Sequence, residues 1–204
     1  MTNPANSTRS EIAVYLGLGS NIGDREAYLS EAIARIIALG VEVKTQSSIY
    51  ETEPVGFADQ PWFLNQIIEV RIYAGVASGR PVTSPANQAQ TLLSELLEIE
   101  RNMGRKRAMP YGPRVIDIDL LLFGDLVITQ SKEDSKDKDR SIADRCDIIV
   151  PHPRLHLRRF VLQPLCEIAP NLIHPVLRKT IRDLLLSLEE ESEVRIFKQR
   201  VPRS

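Results

Sequence analysis

Apolar residues recur along this chain with two different periods, and the order in which those periods alternate restricts the fold more than any other feature. Residues 12 to 18 repeat at every second position, with Ile12, Val14, Leu16 and Leu18 on one face. They run into the turn Gly19-Ser20-Asn21-Ile22-Gly23, the pattern of a strand and its exit loop. Asp24 then stands where a helix cap belongs, Ala32, Ile33, Ile36 and Ile37 recur at helical spacing, and Gly40 occupies the place of a left-handed stop. Residues 25 to 39 therefore read as an amphipathic helix. Alternation returns in Val41, Val43, Thr45, Ser47 and Ile49, and again in Leu64, Ile68, Val70 and Ile72, which predicts a second and a third strand. An exposed connection is expected over 74 to 91, with Ser84-Pro85 a cap and first helical turn, and Leu92, Leu93, Leu96, Ile99 and Met103 then form the stripe of a second helix that ends at Gly104. The last alternating run is RVIDIDLLLF, from Arg114 to Phe123. This order predicts an α+β fold on the ferredoxin-like β-α-β-β-α-β plan. Two helices would pack on one face of an antiparallel sheet, the other face would be free for a ligand, and further helices would follow at the C-terminal end.

A length of 204 residues suits one domain with one site. We place it at 12 to 190, with tails at 1 to 11 and 191 to 204. The stretch SKEDSKDKDRSIADR, residues 131 to 145, has too few apolar side chains to order itself and is expected to be a flexible charged insert. Lys and Arg number 26 against 27 Asp and Glu, a net charge of −1, so no overall basic field exists to hold nucleic acid. Cys146 and Cys166 lack metal-ligand spacing and suit a reducing cytoplasm. No apolar run approaches the roughly 20 residues of a membrane span, so a soluble protein without a membrane partner is expected. The oligomeric state is not written in the pattern, and a monomer is compatible with it.

Chemistry concentrates around Gly112-Pro113-Arg114-Val115-Ile116-Asp117-Ile118-Asp119-Leu120. Side chains alternate across a strand, so Asp117 and Asp119 project from one face with Cα atoms about 6 to 7 Å apart. Such a pair can hold Mg²⁺, which takes its remaining ligands from water and substrate phosphates. It can equally be the polar face of an ordinary half-exposed strand. Arg105, Lys106, Arg107 and Arg114 lie just upstream, and guanidinium forks suit phosphate oxygens. Cations beside a carboxylate pair are the ingredients of phosphoryl transfer. Glu100 falls near the end of the second helix and His152 stands in Val-Pro-His-Pro. Phe63 and Asn65, two apart on a strand, can offer one ring a stacking surface and an amide. The glycines at 17, 19 and 23 miss the dinucleotide-binding spacing, and no G-x-x-x-x-G-K-[ST] occurs. Bound ATP would thus rely on side chains and metals rather than on a P-loop.

From Tyr15 to about Leu177 these blocks resemble the 6-hydroxymethyl-7,8-dihydropterin pyrophosphokinases: YLGLGSNIGD, SSIYETEPVG, QPWFLNQ, LLEIERNMGR, YGPRVIDIDLLLFG and VPHPRLHLRRFVLQPLCEIAP. The resemblance implies transfer of diphosphate from ATP to the pterin, with two Mg²⁺ and release of AMP, in folate biosynthesis. It further implies metal bridging by Asp117 and Asp119, phosphate contacts by Arg105, Arg107 and Arg114, and nucleotide contacts by Glu100, Tyr111, Leu120, His152 and Arg158. Thr52, Val55, Phe63, Asn65 and Phe160 would form the pterin pocket. Pro110, Tyr111, a short basic loop and the long insert depart from the family pattern. The runner-up reading is a ligand- or RNA-binding module on the same plan, although the RNA-binding strand K/R-G-F/Y-G/A-F-V-x-F/Y does not occur. The other is an inactive relative.

Overall fold

The computed structural model describes residues 11–56, 59–73, 76–77, 80–81, 84–105, 112–129, 148–190 and 192–200. Strand β1 (Glu11–Ser20) leads into helix α1 (Arg25–Ala38), and strands β2 (Glu42–Gln46), β3 (Ile49–Thr52) and β4 (Phe63–Tyr73) follow. A two-residue ribbon, β5 (Val76–Ala77) with β6 (Arg80–Pro81), precedes helix α2 (Pro85–Asn102) and strand β7 (Asp117–Phe123). Helices α3 (Arg159–Ile168) and α4 (Ile181–Leu186) and strand β8 (Val194–Lys198) complete the chain. The main sheet is antiparallel with order β7-β1-β4-β3-β8, and β2 also pairs with β4.

The helix ends follow their local chemistry. Asp24 accepts a hydrogen bond from the Ala27 amide at the start of α1, and Ser84 does the same for Asn87 at the start of α2, ahead of Pro85 in the first turn. Gly40 and Gly104, at φ +84° and +89°, take the left-handed conformation that stops each helix. On the side facing both helices, Val14, Leu16 and Leu18 of β1 meet Leu64, Ile68 and Val70 of β4. Ile118 and Leu120 of β7 extend this surface, which packs under Leu29, Ile33 and Ile36 of α1 and Leu92, Leu96 and Ile99 of α2.

Three sequence expectations change. The opposite face of the sheet is not left free: Tyr15, Ile67, Leu121 and Leu122 form a second core with Leu155, Val161, Leu162, Leu165, Ile181 and Leu184. A cavity remains at one end of that face, and α3 packs over the second core beside it. The strand expected through Val41 to Ile49 is divided, since Ser47 and Ser48 divert their hydrogen bonds. Ser47 Oγ accepts from the Ile67 amide and donates to the Ser48 carbonyl, while Glu167 of α3 takes both the amide and the hydroxyl of Ser48. Finally, residues 194 to 198 are not a tail but an edge strand, paired with β3 from Ile49↔Lys198 to Thr52↔Val194. The insert at 131 to 145 lies outside the described residues.

Glu167 also accepts from the Tyr50 hydroxyl at 3.0 Å, and burial together with this carboxylate pushes that hydroxyl above its ordinary pKa. A single carboxylate thus ties α3 to the strand break. Glu167→Ala should leave three donors without their acceptor and lower stability by about 2 kcal/mol, read as a reduced urea midpoint with an unchanged m value.

Candidate active site

The open end of the second sheet face is built from three strand segments in register. Gly19 of β1 lies between Asp117 of β7 and Asn65 of β4, and Gly17 lies between Asp119 and Ile67. A Cβ on Gly19 would stand 2.8 Å from Asn65 Oδ1, and one on Gly17 would press on Leu121 and Ile67. The two glycines therefore keep open a cavity of about 400 Å³ whose walls include Asp117, Asp119, Arg105, Arg114, His152 and Arg158 at one side. Thr52, Val55, Phe63, Asn65 and Phe160 line it at the other.

Charge is tightly arranged on the first side. Asp117 receives Arg105 Nη1 on Oδ1 at 2.7 Å and Arg114 Nη1 on Oδ2 at 2.8 Å. Asp119 has Arg158 at 3.9 Å, and 36 % of its side chain opens into the cavity. Burial, and next the neighbouring carboxylate of Asp117, push the pKa of Asp119 up to about 6, with the arginines opposing. Glu100 does not border the cavity. It is buried beneath β7, accepts from the Ile118 amide at 2.7 Å and pairs with Arg105, so it positions that arginine from behind. Burial pushes its pKa up, and Arg105 and the amide pull it down.

His152 is neutral at pH 7. Burial, followed by the cations Arg158 and Arg154, lowers its pKa to about 4. Its Nδ1 accepts from the Arg154 amide, which assigns the ring proton to Nε2. The cis peptide bond between Val150 and Pro151 precedes it, and its own amide donates to Leu121 O at 2.9 Å, fastening the turn to β7.

On the second side, Asn65 Nδ2 donates to Thr52 Oγ1 at 2.7 Å, which leaves its Oδ1 beside Gly19. Each aromatic ring is paired with a cation: the Arg114 guanidinium carbon lies 5.4 Å from the Phe63 ring centre, and that of Arg158 lies 5.3 Å from Phe160.

Eleven of the fifteen residues singled out from the sequence thus border one cavity. Leu120 does not: it sits in the core below the helices, because alternation along β7 turns it away from Asp117 and Asp119. Glu100 stands behind the wall, and Arg107 and Tyr111 lie outside the described residues, so that the remaining set is Arg105, Arg114, Asp117, Asp119, His152, Arg158, Thr52, Val55, Phe63, Asn65 and Phe160.

 Sequence reasoning missed Asn21. Its side chain accepts from the Arg114 amide at 2.7 Å and donates to Gln60 Oε1 and Pro61 O, joining the two sides of the cavity; its place in the turn after β1 was the available signal.

The family model for 7,8-dihydro-6-hydroxymethylpterin-pyrophosphokinase (HPPK) matches residues 15–170. Proteins named 2-amino-4-hydroxy-6-hydroxymethyldihydropteridine pyrophosphokinase are similar along most of their length. The one from Aquifex aeolicus is 37% identical over 170 residues, 83% of this chain and 88% of that protein. The one from Bacillus subtilis is 37% identical over 188 residues, 91% of this chain and 90% of that protein. Among solved structures, Plasmodium falciparum HPPK-DHPS, wild type with pteroate, shares the fold at a TM-score of 0.59 and 17% identity, with 87% of this chain covered. The match spans 42% of that longer chain. With the family model matching three quarters of its length and relatives 37% identical over most of theirs, this chain belongs to the 7,8-dihydro-6-hydroxymethylpterin-pyrophosphokinase family.

Proposed function

We propose that this chain, an ATP-dependent pyrophosphokinase of folate biosynthesis by family, transfers diphosphate to 6-hydroxymethyl-7,8-dihydropterin in the cavity beside β7 and releases AMP. One observation carries the reading: a carboxylate pair ringed by arginines and an aromatic-amide pocket share one cavity, joined across Gly17 and Gly19. The frame reads as ferredoxin-like, supported by the strand order β7-β1-β4-β3 and by both crossover helices lying on one face. A cytoplasmic setting suits the free thiol of Cys166, and no helix among the described residues is long and apolar enough to cross a membrane.

The donor set fits Mg²⁺. Asp117 and Asp119 present hard oxygens on one face, and no group of three or more potential ligands occurs among the described residues. That suits an ion which takes one or two carboxylates and completes its shell with water and phosphate. Asp117 and Asp119 would hold two such ions, which when bound neutralise the triphosphate.

Arg105 and Arg114 exchange the Asp117 carboxylate for phosphate oxygens as ATP enters, and Arg158 lies across the cavity beside Asp119. The resemblance of their motif makes Arg107 a further phosphate clamp and puts Tyr111 among the nucleotide contacts. His152 offers an Nε2 proton to a phosphate without adding charge, and Leu120 contributes through its backbone alone. On the other side Phe63 and Phe160 flank the pterin ring and the Asn65 and Thr52 pair reads its edge, while Val55 stands at the rim. The pterin hydroxyl then attacks the β-phosphorus in line. Catalysis is positioning and charge stabilisation, with no strong base required.

Three outcomes are expected. Asp117→Ala should lower AMP release from ATP and reduced pterin by at least about a hundredfold, assayed with Mg²⁺ and with chelator; substantial turnover by the variant contradicts the metal assignment. Gly19→Ala should raise the pterin KM by about tenfold or more and the ATP KM far less, because its methyl displaces Asn65. The His152 imidazole should remain neutral in long-range ¹H–¹⁵N spectra down to about pH 5. Its folded pKa, about 4, lies below the unfolded value of 6.5, so its contribution to stability is present above that unfolded value and is lost as the pH falls towards 4.

A further inference from the structure

The pterin side of the cavity hangs on the chain between Thr52 and Phe63, two residues that face each other across β3 and β4. Both line the cavity, as do Glu53 and Val55. The ends of this segment are fastened from outside by side chains that do not border the cavity. Arg195 of β8 donates through Nε and Nη2 to Glu51 Oε2, at 3.1 and 2.8 Å. The other oxygen of Glu51 receives Arg25 Nη1 at 2.8 Å, and the same nitrogen donates to the Trp62 carbonyl at 2.7 Å. The Arg195 guanidinium also lies 4.6 Å from the centre of the Trp62 ring. Two residues beyond Glu51, the backbone of Glu193 accepts from the Glu53 amide at 3.2 Å, and its own amide donates to Glu53 Oε2 at 3.0 Å.

These bonds close a ring of contacts around Thr52 and Phe63. Glu51 and Glu53 hold the residues on either side of Thr52. Trp62, which precedes Phe63, is held by its carbonyl through Arg25 and by its ring through Arg195. A shift of Arg195 therefore reaches both residues that contact the ligand. Arg195 is itself well exposed, so its pair with Glu51 adds little to global stability. Its planar fork, laid against an indole, instead fixes a local geometry.

We infer that Arg195 is a positioning residue for the pterin: strand β8 sets the spacing of Thr52 and Phe63 through Glu51 and Trp62, and so tunes pterin affinity independently of ATP. This rests on the assignment of the Phe63 side of the cavity to the pterin. The phosphate side, around Asp117 and Asp119, is joined to β7 and α2, whereas Arg195 pairs with Glu51 and Glu193.

The test is steady-state kinetics of full-length Arg195→Ala, with each substrate varied in turn at saturating Mg²⁺. The pterin KM should rise about tenfold while the ATP KM stays within about twofold. Arg195→Lys keeps the charge but loses the fork and the flat face, and should fall between the two. Trp62 is the only tryptophan in the chain, so its emission reports on the clasp directly and should shift to the red in Arg195→Ala. Thermal unfolding of each variant, followed alongside, separates this from general loosening; should the Ala variant not fold, the Lys variant carries the comparison. Unchanged KM values, or equal increases for both substrates, would overturn the positioning role. Failure of the wild-type chain to release AMP would instead overturn the proposed reaction.

Discussion

Strand β1 is asked to be two things at once, and the missing side chains of Gly17 and Gly19 make that possible. On one face its large residues fill the core under α1 and α2; on the other, its glycines leave a trough between β7 and β4. Neighbouring strands lie about 4.8 Å apart, so the trough spans roughly 10 Å between the carboxylates and the amide of Asn65. That distance is set by backbone hydrogen bonds rather than by loops. Two groups bound across the sheet would thereby be held at a spacing that side-chain motion does not alter, and the turn residue Asn21 repeats the same connection at the edge through Arg114 and Pro61.

The electrostatics follow from placing carboxylates and cations in one concave wall. Asp117 is fully engaged by Arg105 and Arg114, so the ligand-free wall is already close to neutral there. Asp119 lies farther from a cation, and its burial, followed by the neighbouring Asp117 carboxylate, raises its pKa above the ordinary carboxylate range. Glu100, behind the strand, keeps Arg105 from swinging out to solvent, and the Ile118 amide it accepts from lies between the two aspartates. A divalent cation entering this wall would relieve repulsion and release arginines for the phosphates at the same time, which couples the two events.

Much of this arrangement was legible in the sequence because period and chemistry coincide. The alternation that placed Asp117 and Asp119 on one face also placed Phe63 and Asn65 on one face, and both pairs border the cavity. The caps at Asp24 and Ser84 and the stops at Gly40 and Gly104 were readable for the same local reasons. Leu120 lies in the same motif, but alternation turns its side chain inward to the core. Less legible were features that depend on distant partners. Ser47 and Ser48 interrupt a strand only because Glu167, more than a hundred residues later, supplies an acceptor. Strand β8 lies in a charged segment without a strong pattern and forms because the edge of β3 is available to it. The coverage of the second sheet face required knowing where α3 packs, which no local period reveals.

The three leucines before Phe123 break the alternation of β7, and the register with β1 slips between Tyr15 and Leu16 at that point. Leu120 and Phe123 fall in the core beneath α1 and α2, whereas Leu121 and Leu122 both serve the core under α3. The slip acts as a phase adjuster. It lets the leading half of the strand obey the geometry demanded by its carboxylates while the trailing half obeys the packing of two separate hydrophobic layers. Insertions or deletions beyond Leu120 can thus be absorbed by the irregularity, but one between Asp117 and Leu120 would rotate every following side chain to the wrong surface. The tolerance of this strand to an added or lost residue is accordingly lopsided.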